Sequence, residues 1–217
     1  DLRPLVDEAD IKNFRDRALS PERPVTRGTA ENPETFFTHR EACNAYYDAI
    51  PDVVEHYLGE ISKITGREYH NFSYYGAEDA ENIIILMGSA TEAAREAIDH
   101  LVAEGKKVGM VAVHLYRPFS IKHLFAAVPA TVKKIAVLDR TKEPGAEGEP
   151  LYLDVKSAYY DQENRPVIVG GRYGLGSSDI TPAKIISVFN NLDLPEPKNH
   201  FTVGIVDDVT FTSLPAV

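Results

Sequence analysis

The 217-residue sequence predicts an α/β fold: an open, five-stranded, mainly parallel sheet with helices on both faces. Two observations predict it. Continuous apolar runs, typical of strands that are buried on both faces, recur along residues 81–210. Segments whose apolar residues have helical spacing separate these runs. Residues 1–80 lack the alternation and predict an irregular helical extension, so we expect two parts with a boundary near residue 80.

The extension contains two predicted helices, joined by a stretch that is punctuated by prolines. The first helix is short and charged and covers about residues 8–19. The second follows Pro51, a residue that the first turn of a helix tolerates, and Gly66 provides a C-terminal stop. The apolar residues of this second helix follow the spacing of one helical face: Val54, Tyr57, Leu58 and Ile61.

Five apolar runs in residues 81–210 predict the strands. They are NIIILMG (82–88), KVGMVAVHL (107–115), KIAVLD (134–139), PVIVG (166–170) and HFTVGIVD (200–207). Four helices are expected between them. Ser89 or Thr91, Ser120 and Thr181 provide N-caps for three of these helices, and Pro182 suits a first helical position. The remaining helix covers roughly residues 151–160.

Charge and composition exclude several classes of function. A formal net charge of −10 argues against nucleic acid or an anionic membrane as a partner. No apolar run approaches the ~20 residues that a membrane-spanning helix needs. The single cysteine, Cys43, excludes a four-thiolate cluster built from this chain alone. It also fits a reducing, cytoplasmic compartment.

The glycine-rich stretch GGRYGLGSSD (170–179) lies between a predicted strand and a predicted helix, where ligands bind in such sheets. Its spacing is GxxGxG rather than GxGxxG, and no GK[ST] follows, which excludes the dinucleotide fingerprint and the P-loop. Arg172, Gly174, Gly176 and Ser177 could hold a phosphate or carboxylate near the helix N-terminus. Alternatively, the glycines only provide positive-φ turns and close packing.

A long charged loop, residues 139–149, is the second candidate. Arg140 and Lys142 could contact a charged ligand or a partner domain, because long loops are often functional. The alternative is a solvated surface loop.

Three carboxylates end the third and fifth predicted strands: Asp139, Asp207 and Asp208. They could hold Mg²⁺, although acidic residues after strands are commonly caps of helices and turns. No GxSxG or HExxH motif occurs, and we predict neither a catalytic residue nor a metal site in this chain.

Several long stretches together resemble pyruvate:ferredoxin (or flavodoxin) oxidoreductases. The most specific are LDRTKEPGAEGEPLYLDV (138–155) and GRYGLGS (171–177). The resemblance implies a fragment: residues 1–80 as the end of the first thiamine-binding domain and residues 81–210 as core domain II. It also implies a sheet like that of the transketolase C-terminal domain, which includes one antiparallel edge strand.

In that family the full enzyme decarboxylates pyruvate oxidatively with thiamine diphosphate and Mg²⁺. It passes electrons through [4Fe–4S] clusters to ferredoxin or flavodoxin, and transfers the acetyl group to coenzyme A. This chain lacks the GDG motif and the cluster cysteines. The resemblance therefore implies a non-catalytic domain that binds no thiamine diphosphate, Mg²⁺ or [4Fe–4S] cluster and is inactive alone. Expected partners are the other domains of the enzyme and a second protomer in a homodimer.

The resemblance extends the anion hypothesis for residues 139–149 and 170–178 to the phosphates of coenzyme A. The competing interpretation is a free-standing, flavodoxin-like module that binds a ligand or Mg²⁺ through Asp139, Asp207 and Asp208.

Overall fold

The computed structural model of the chain describes residues 3–25, 28, 30–206 and 209–215. The chain divides into two compact units, residues 1–70 and 71–217. In the described ranges, no helix is both long and apolar enough to cross a membrane.

The first unit is helical. After a 3₁₀ turn at Arg3–Leu5 come α1 (Glu8–Asp16), α2 (Pro33–Ala42) and α3 (Asn44–Thr65). Gly66 ends α3 in the left-handed region at φ +70°, as predicted. Helix α3 begins at Asn44, however, so Pro51 lies inside it rather than at its first turn.

Helix α2 was not predicted, although its start carries two ordinary signals. The Asn32 side chain accepts a hydrogen bond from the Thr35 N–H at 3.1 Å, and Pro33 occupies the first helical position. No residue of α2 is buried. Its sequence therefore lacks the apolar stripe by which a helix is recognised.

The second unit contains a six-stranded sheet. Its strands are β1 (Phe72–Gly76), β2 (Asn82–Met87), β3 (Val108–Val113), β4 (Lys134–Asp139), β5 (Val167–Arg172) and β6 (Phe201–Thr202). They lie in the order β1-β3-β2-β4-β5-β6, and every neighbouring pair is parallel except β1 with β3. The α/β class, the open sheet and the antiparallel edge strand are confirmed.

Two details of the predicted strands were wrong. The sheet has six strands rather than five, because β1 lies in the stretch that was predicted to be irregular. As an edge strand it is only partly buried and lacks the continuous apolar run of an inner strand. The last strand is limited to Phe201–Thr202 instead of extending over residues 200–207, and Gly204, at φ +84°, turns the chain away from the sheet.

Helices cover both faces of the sheet, as predicted. Residues of β2 alternate between two core clusters: Ile84 and Leu86 face one, and Ile83 and Ile85 face the other. The first cluster includes buried residues of α4 (Ala90–Ala103) and α7 (Pro182–Asp193). The second includes buried residues of α5 (Ile121–Ala127) and α6 (Pro150–Ala158).

The strand order places a topological switch point between β2 and β4. From β2 the chain proceeds to β3 on one side, whereas from β4 it proceeds to β5 and β6 on the other. In open α/β sheets, ligands bind beyond the carboxyl ends of the strands at such a point. The loops that follow β2, β4 and β5 are therefore where a functional site is expected.

Candidate functional site

The first two glycines of the glycine-rich stretch belong to β5 and are required for packing. A Cβ atom on Gly170 would lie 2.8 Å from Cγ of the Tyr152 ring, and one on Gly171 would overlap the Phe201 ring. The two rings therefore lie against bare backbone on opposite faces of β5, because successive residues of a strand face opposite sides. A side chain at either position would displace a buried aromatic ring.

The other two glycines adopt a left-handed backbone. Gly174 has φ +66° and Gly176 has φ +63°, and Ser177 follows at φ +61°. The Arg140 Nε–H donates to the Gly174 carbonyl at 3.0 Å, which attaches this turn to the loop that follows β4. Turn geometry and packing thus account for all four glycines without a bound anion.

The side chain of Arg172, at the end of β5, is held by contacts with neighbouring residues of the domain. Its side chain is 12% exposed and donates through one terminal nitrogen to the His200 carbonyl at 2.7 Å. The other terminal nitrogen lies 3.4 Å from Glu149 Oε1. The Lys142 ammonium, half exposed, lies 3.9 Å from the same oxygen. Glu149 is buried, and its second oxygen, Oε2, has no hydrogen-bond partner among the described residues.

Asp139, at the end of β4, caps a helix. Its buried carboxylate accepts hydrogen bonds from the backbone N–H groups of Leu151 at 3.0 Å and Tyr152 at 3.1 Å, in the first turn of α6. Burial raises the pKa of Asp139, and the two backbone hydrogen bonds oppose this shift. The capping interpretation of Asp139 agrees with this geometry.

The other two carboxylates of the hypothetical Mg²⁺ set, Asp207 and Asp208, lie outside the described residues. Within the described part of the chain, no group of three or more histidine, cysteine, aspartate or glutamate side chains is arranged to hold a metal ion.

Two cavities open beside these loops. One, of about 310 Å³, lies between the glycine-rich loop and the segment that follows β6. Three of the six predicted site residues line it: Lys142, Arg172 and Gly174. Gly176 and Ser177 do not. The cavity brings together the two loops that the sequence singled out, although they are separated by α6 and β5 along the chain.

The second cavity, of about 320 Å³, lies at the switch point between β2 and β4. Arg140 and Asp139 line it, together with Ser89 and Tyr116. The Tyr116 hydroxyl donates to Asp154 Oδ2 at 2.8 Å, and burial together with this hydrogen bond raises the pKa of Tyr116 to about 12.

Sequence reasoning missed two residues that organise this edge. Glu149 holds both cations near the first cavity, and Tyr152 fills the space over Gly170. A buried glutamate cannot be recognised from a loop rich in charged residues. The only local signal was the position of Glu149 immediately before Pro150 at the start of α6.

The sequence model of the family described as pyruvate:ferredoxin oxidoreductase core domain II matches residues 80–185. The pyruvate-flavodoxin oxidoreductase of Enterobacter agglomerans is 59% identical over 99% of this chain. The pyruvate:ferredoxin oxidoreductase of Moorella thermoacetica is 52% identical, also over 99% of this chain. The chain belongs to the pyruvate:ferredoxin oxidoreductase family.

The chain spans 18% of the length of both relatives. The part matched as core domain II of the pyruvate:ferredoxin oxidoreductase family extends from just before β2 into the first turn of α7, and therefore contains both candidate loops. A more distant likeness is to a chain of 2-oxoglutarate:ferredoxin oxidoreductase from Magnetococcus marinus. It has a TM-score of 0.48 and 22% identity, over 75% of this chain and 24% of that chain.

Proposed function

We propose that this chain is a non-catalytic core domain of an enzyme that decarboxylates pyruvate oxidatively and passes the electrons to ferredoxin or flavodoxin. Its role is to pack against the other domains of that enzyme. The names of the relatives support the reaction and the acceptors. The observation that carries the non-catalytic role is that Asp139, Arg140 and Arg172, at the ligand-binding edge, are engaged in contacts within the domain.

A catalytic group must be able to touch a substrate or cofactor. Both oxygens of Asp139 accept hydrogen bonds from α6. Arg172 contacts Glu149 and the His200 carbonyl, and Arg140 holds the Gly174 carbonyl. These contacts stabilise the loops, and they support a structural use of the residues that seemed most suited to chemistry.

The first unit supports the packing role independently. Of its described residues, only Pro51 is buried. Large apolar side chains are exposed instead, among them Phe14, Phe37 and Tyr46, each at 70% or more. Exposed apolar surface of this kind marks interaction sites. We propose that the other domains of the enzyme, and a second protomer in a homodimer, cover it.

We assign the cofactors of the complete enzyme to its other domains. Thiamine diphosphate, Mg²⁺ and coenzyme A have no donor set here that we can identify by motif. A [4Fe–4S] cluster needs four thiolates, whereas this chain contains Cys43 alone. We place the enzyme in the cytoplasm, because a single cysteine fits a reducing compartment.

The test uses the full-length enzyme that contains this chain, assayed for pyruvate-dependent reduction of flavodoxin and of ferredoxin. We expect Asp139→Asn to leave kcat within about twofold and to lower the unfolding temperature, because the change weakens a cap. Asp161→Asn, at an exposed position in the turn after α6, is the control and should change neither. A fall in kcat of about a hundredfold or more with unchanged stability would contradict the purely structural role of Asp139.

The competing Mg²⁺-module interpretation predicts that Mg²⁺ raises the melting temperature of this chain, since a ligand that binds only the folded state stabilises it. The packing role predicts no such rise. The hydrogen bonds of Asp139 to α6 favour the second outcome.

A further inference from the structure

We propose that the cavity at the switch point between β2 and β4 binds a small aromatic anion. The ligand would carry a carboxylate or phosphate group on a planar ring, and Arg140 would bind the anionic group. This binding role goes beyond the packing role, and it depends neither on catalysis by this chain nor on pyruvate as the substrate.

The position of the cavity is the first observation. Its volume is about 320 Å³, within the range of small-molecule sites, roughly 300–1,000 Å³. Residues that follow four adjacent strands line it: Ser89 after β2, Tyr116 after β3, Arg140 after β4 and Tyr173 after β5. The cavity thus spans the switch point, where open α/β sheets bind their ligands.

Arg140 supplies the group that binds the anion. Its Nε–H donates to the Gly174 carbonyl at 3.0 Å, whereas its two terminal nitrogens have no hydrogen-bond or ion-pair partner among the described residues. The Nε bond holds the side chain in place, and the planar end that matches two carboxylate or phosphate oxygens stays available. The hydroxyl groups of Ser89 and Thr141, also without a partner in the described chain, line the same cavity and can donate to the anion.

Asp139 also lines the cavity, but its charge is directed towards α6. Its two oxygens accept the backbone N–H groups of Leu151 at 3.0 Å and Tyr152 at 3.1 Å. The positive end of the α6 dipole offsets the charge of a carboxylate at this position. Asp139 is the one carboxylate among the described lining residues, and no ion pair joins it to Arg140. Arg140 therefore has no counterion at this cavity within the part of the chain that the structure describes.

Two tyrosine rings define the body of the ligand. Tyr116 and Tyr173 line the cavity from opposite sides of the switch point, because β2 and β4 lie between the strands that they follow. The Tyr116 hydroxyl donates to Asp154 Oδ2 at 2.8 Å. The Tyr173 hydroxyl lies 3.5 Å from the Met87 carbonyl oxygen. Because both polar ends are directed at groups of the domain, the rings present apolar surface to the cavity, and an aromatic ring packs favourably on it.

The experiment measures the reactivity of Arg140 in the full-length enzyme. Limited modification by methylglyoxal is followed by peptide mass spectrometry, with phenyl phosphate, phenol or inorganic phosphate present at matched ionic strength. Phenyl phosphate at about ten times its dissociation constant should slow modification of Arg140 by about tenfold. Phenol and inorganic phosphate at the same concentration should protect by less than about twofold, because each makes only one of the two kinds of contact and binds at least about tenfold more weakly. Arg165 is the control: it is also exposed and donates to one backbone carbonyl, but it does not line the cavity, so its modification should not change.

Two matched variants test the location of the site. Ser89 and Thr181 are exposed residues immediately before α4 and α7, where aspartate is a favourable N-cap, so the fold should tolerate Ser89→Asp and Thr181→Asp. Ser89 lines the cavity and Thr181 does not. The negative charge of Ser89→Asp should reduce the protection of Arg140 from about tenfold to about twofold, whereas Thr181→Asp should leave it unchanged. Equal protection in both variants would overturn the proposed location.

Three other outcomes would overturn the proposal itself. If phenyl phosphate fails to protect Arg140 up to its solubility limit, the cavity does not bind such an anion. If phenol or inorganic phosphate protects equally well, the ligand is not an aromatic anion. If Arg140 is unreactive in the unliganded enzyme, another domain covers the cavity and no ligand enters it. Benzoate in place of phenyl phosphate distinguishes a carboxylate ligand from a phosphate ligand. Pyruvate-dependent reduction of flavodoxin is measured on the same samples, so that failure of the proposed function is recorded separately from failure of protection.

Discussion

At the scale of single residues, the four glycines of the glycine-rich loop are required for two different physical reasons. Gly170 and Gly171 are glycines because aromatic rings occupy the space of their side chains. Gly174 and Gly176 are glycines because their φ values are positive. Substitution of a glycine of each kind should therefore lower the free energy of unfolding by different amounts.

We predict that Gly171→Ala destabilises the second unit more than Gly176→Ala does. The new methyl group at position 171 overlaps the Phe201 ring and forces repacking, at about 1–3 kcal/mol or more. At position 176 nothing lies within 4 Å, so only the backbone strain of about 1–2 kcal/mol remains. Urea unfolding followed by circular dichroism measures both variants. Equal losses would contradict the packing explanation.

At the scale of elements, helix starts depend on caps of different origin. Thr181 Oγ1 accepts from the Lys184 N–H at 3.4 Å and caps α7 locally, as the sequence predicts. Ser89 occupies the equivalent position of α4 without a side-chain cap hydrogen bond. Helix α6 is capped by Asp139, from the end of β4, rather than by its own preceding residue Glu149.

We predict that Thr181→Ala lowers the free energy of unfolding by about 1 kcal/mol, because the Lys184 N–H loses its acceptor. Ser89→Ala is the matched control. It is also an exposed residue immediately before a helix, and it should change stability by less than about 0.5 kcal/mol. Chemical denaturation of both variants measures the difference. A loss at Ser89 as large as that at Thr181 would show that hydroxyl caps act here without the hydrogen bond.

At the scale of the whole molecule, the two units differ in how many of their residues are buried. The second unit has two core clusters, one on each face of its sheet. In the first unit, by contrast, α1 and α2 contain no buried residue. Helices gain most of their stability in proteins from the packing of an apolar face. The first unit should therefore depend on other parts of the enzyme for its stability.

We predict that trypsin cleaves residues 3–70 of this chain at least about thirtyfold faster than residues 71–215, because opening of the first unit costs less free energy. In the full-length enzyme the same bonds should be protected. Time-resolved digestion with mass spectrometry compares the two proteins. Phe37→Asp provides a second measurement: it should leave the stability of the isolated chain unchanged and lower that of the full-length enzyme. Equal cleavage rates for both units of the isolated chain would refute this expectation.

The sequence by itself determined the inner strands of the sheet, the helices between them and both loops at the ligand-binding edge. Strands such as Asn82–Met87 are buried on both faces, so consecutive residues are apolar and the strand can be recognised in the sequence. Local caps such as Thr181 could also be predicted, because the donor and the acceptor of the hydrogen bond lie three residues apart.

Only the tertiary structure decided which residues of those loops meet. Lys142 and Arg172 share the buried Glu149 because strand order places the ends of β4 and β5 side by side. Such contacts depend on which strands are neighbours, and no local pattern of residues encodes that. The edge strand β1, which pairs only with β3, was missed because it is only partly buried and therefore has no continuous apolar run.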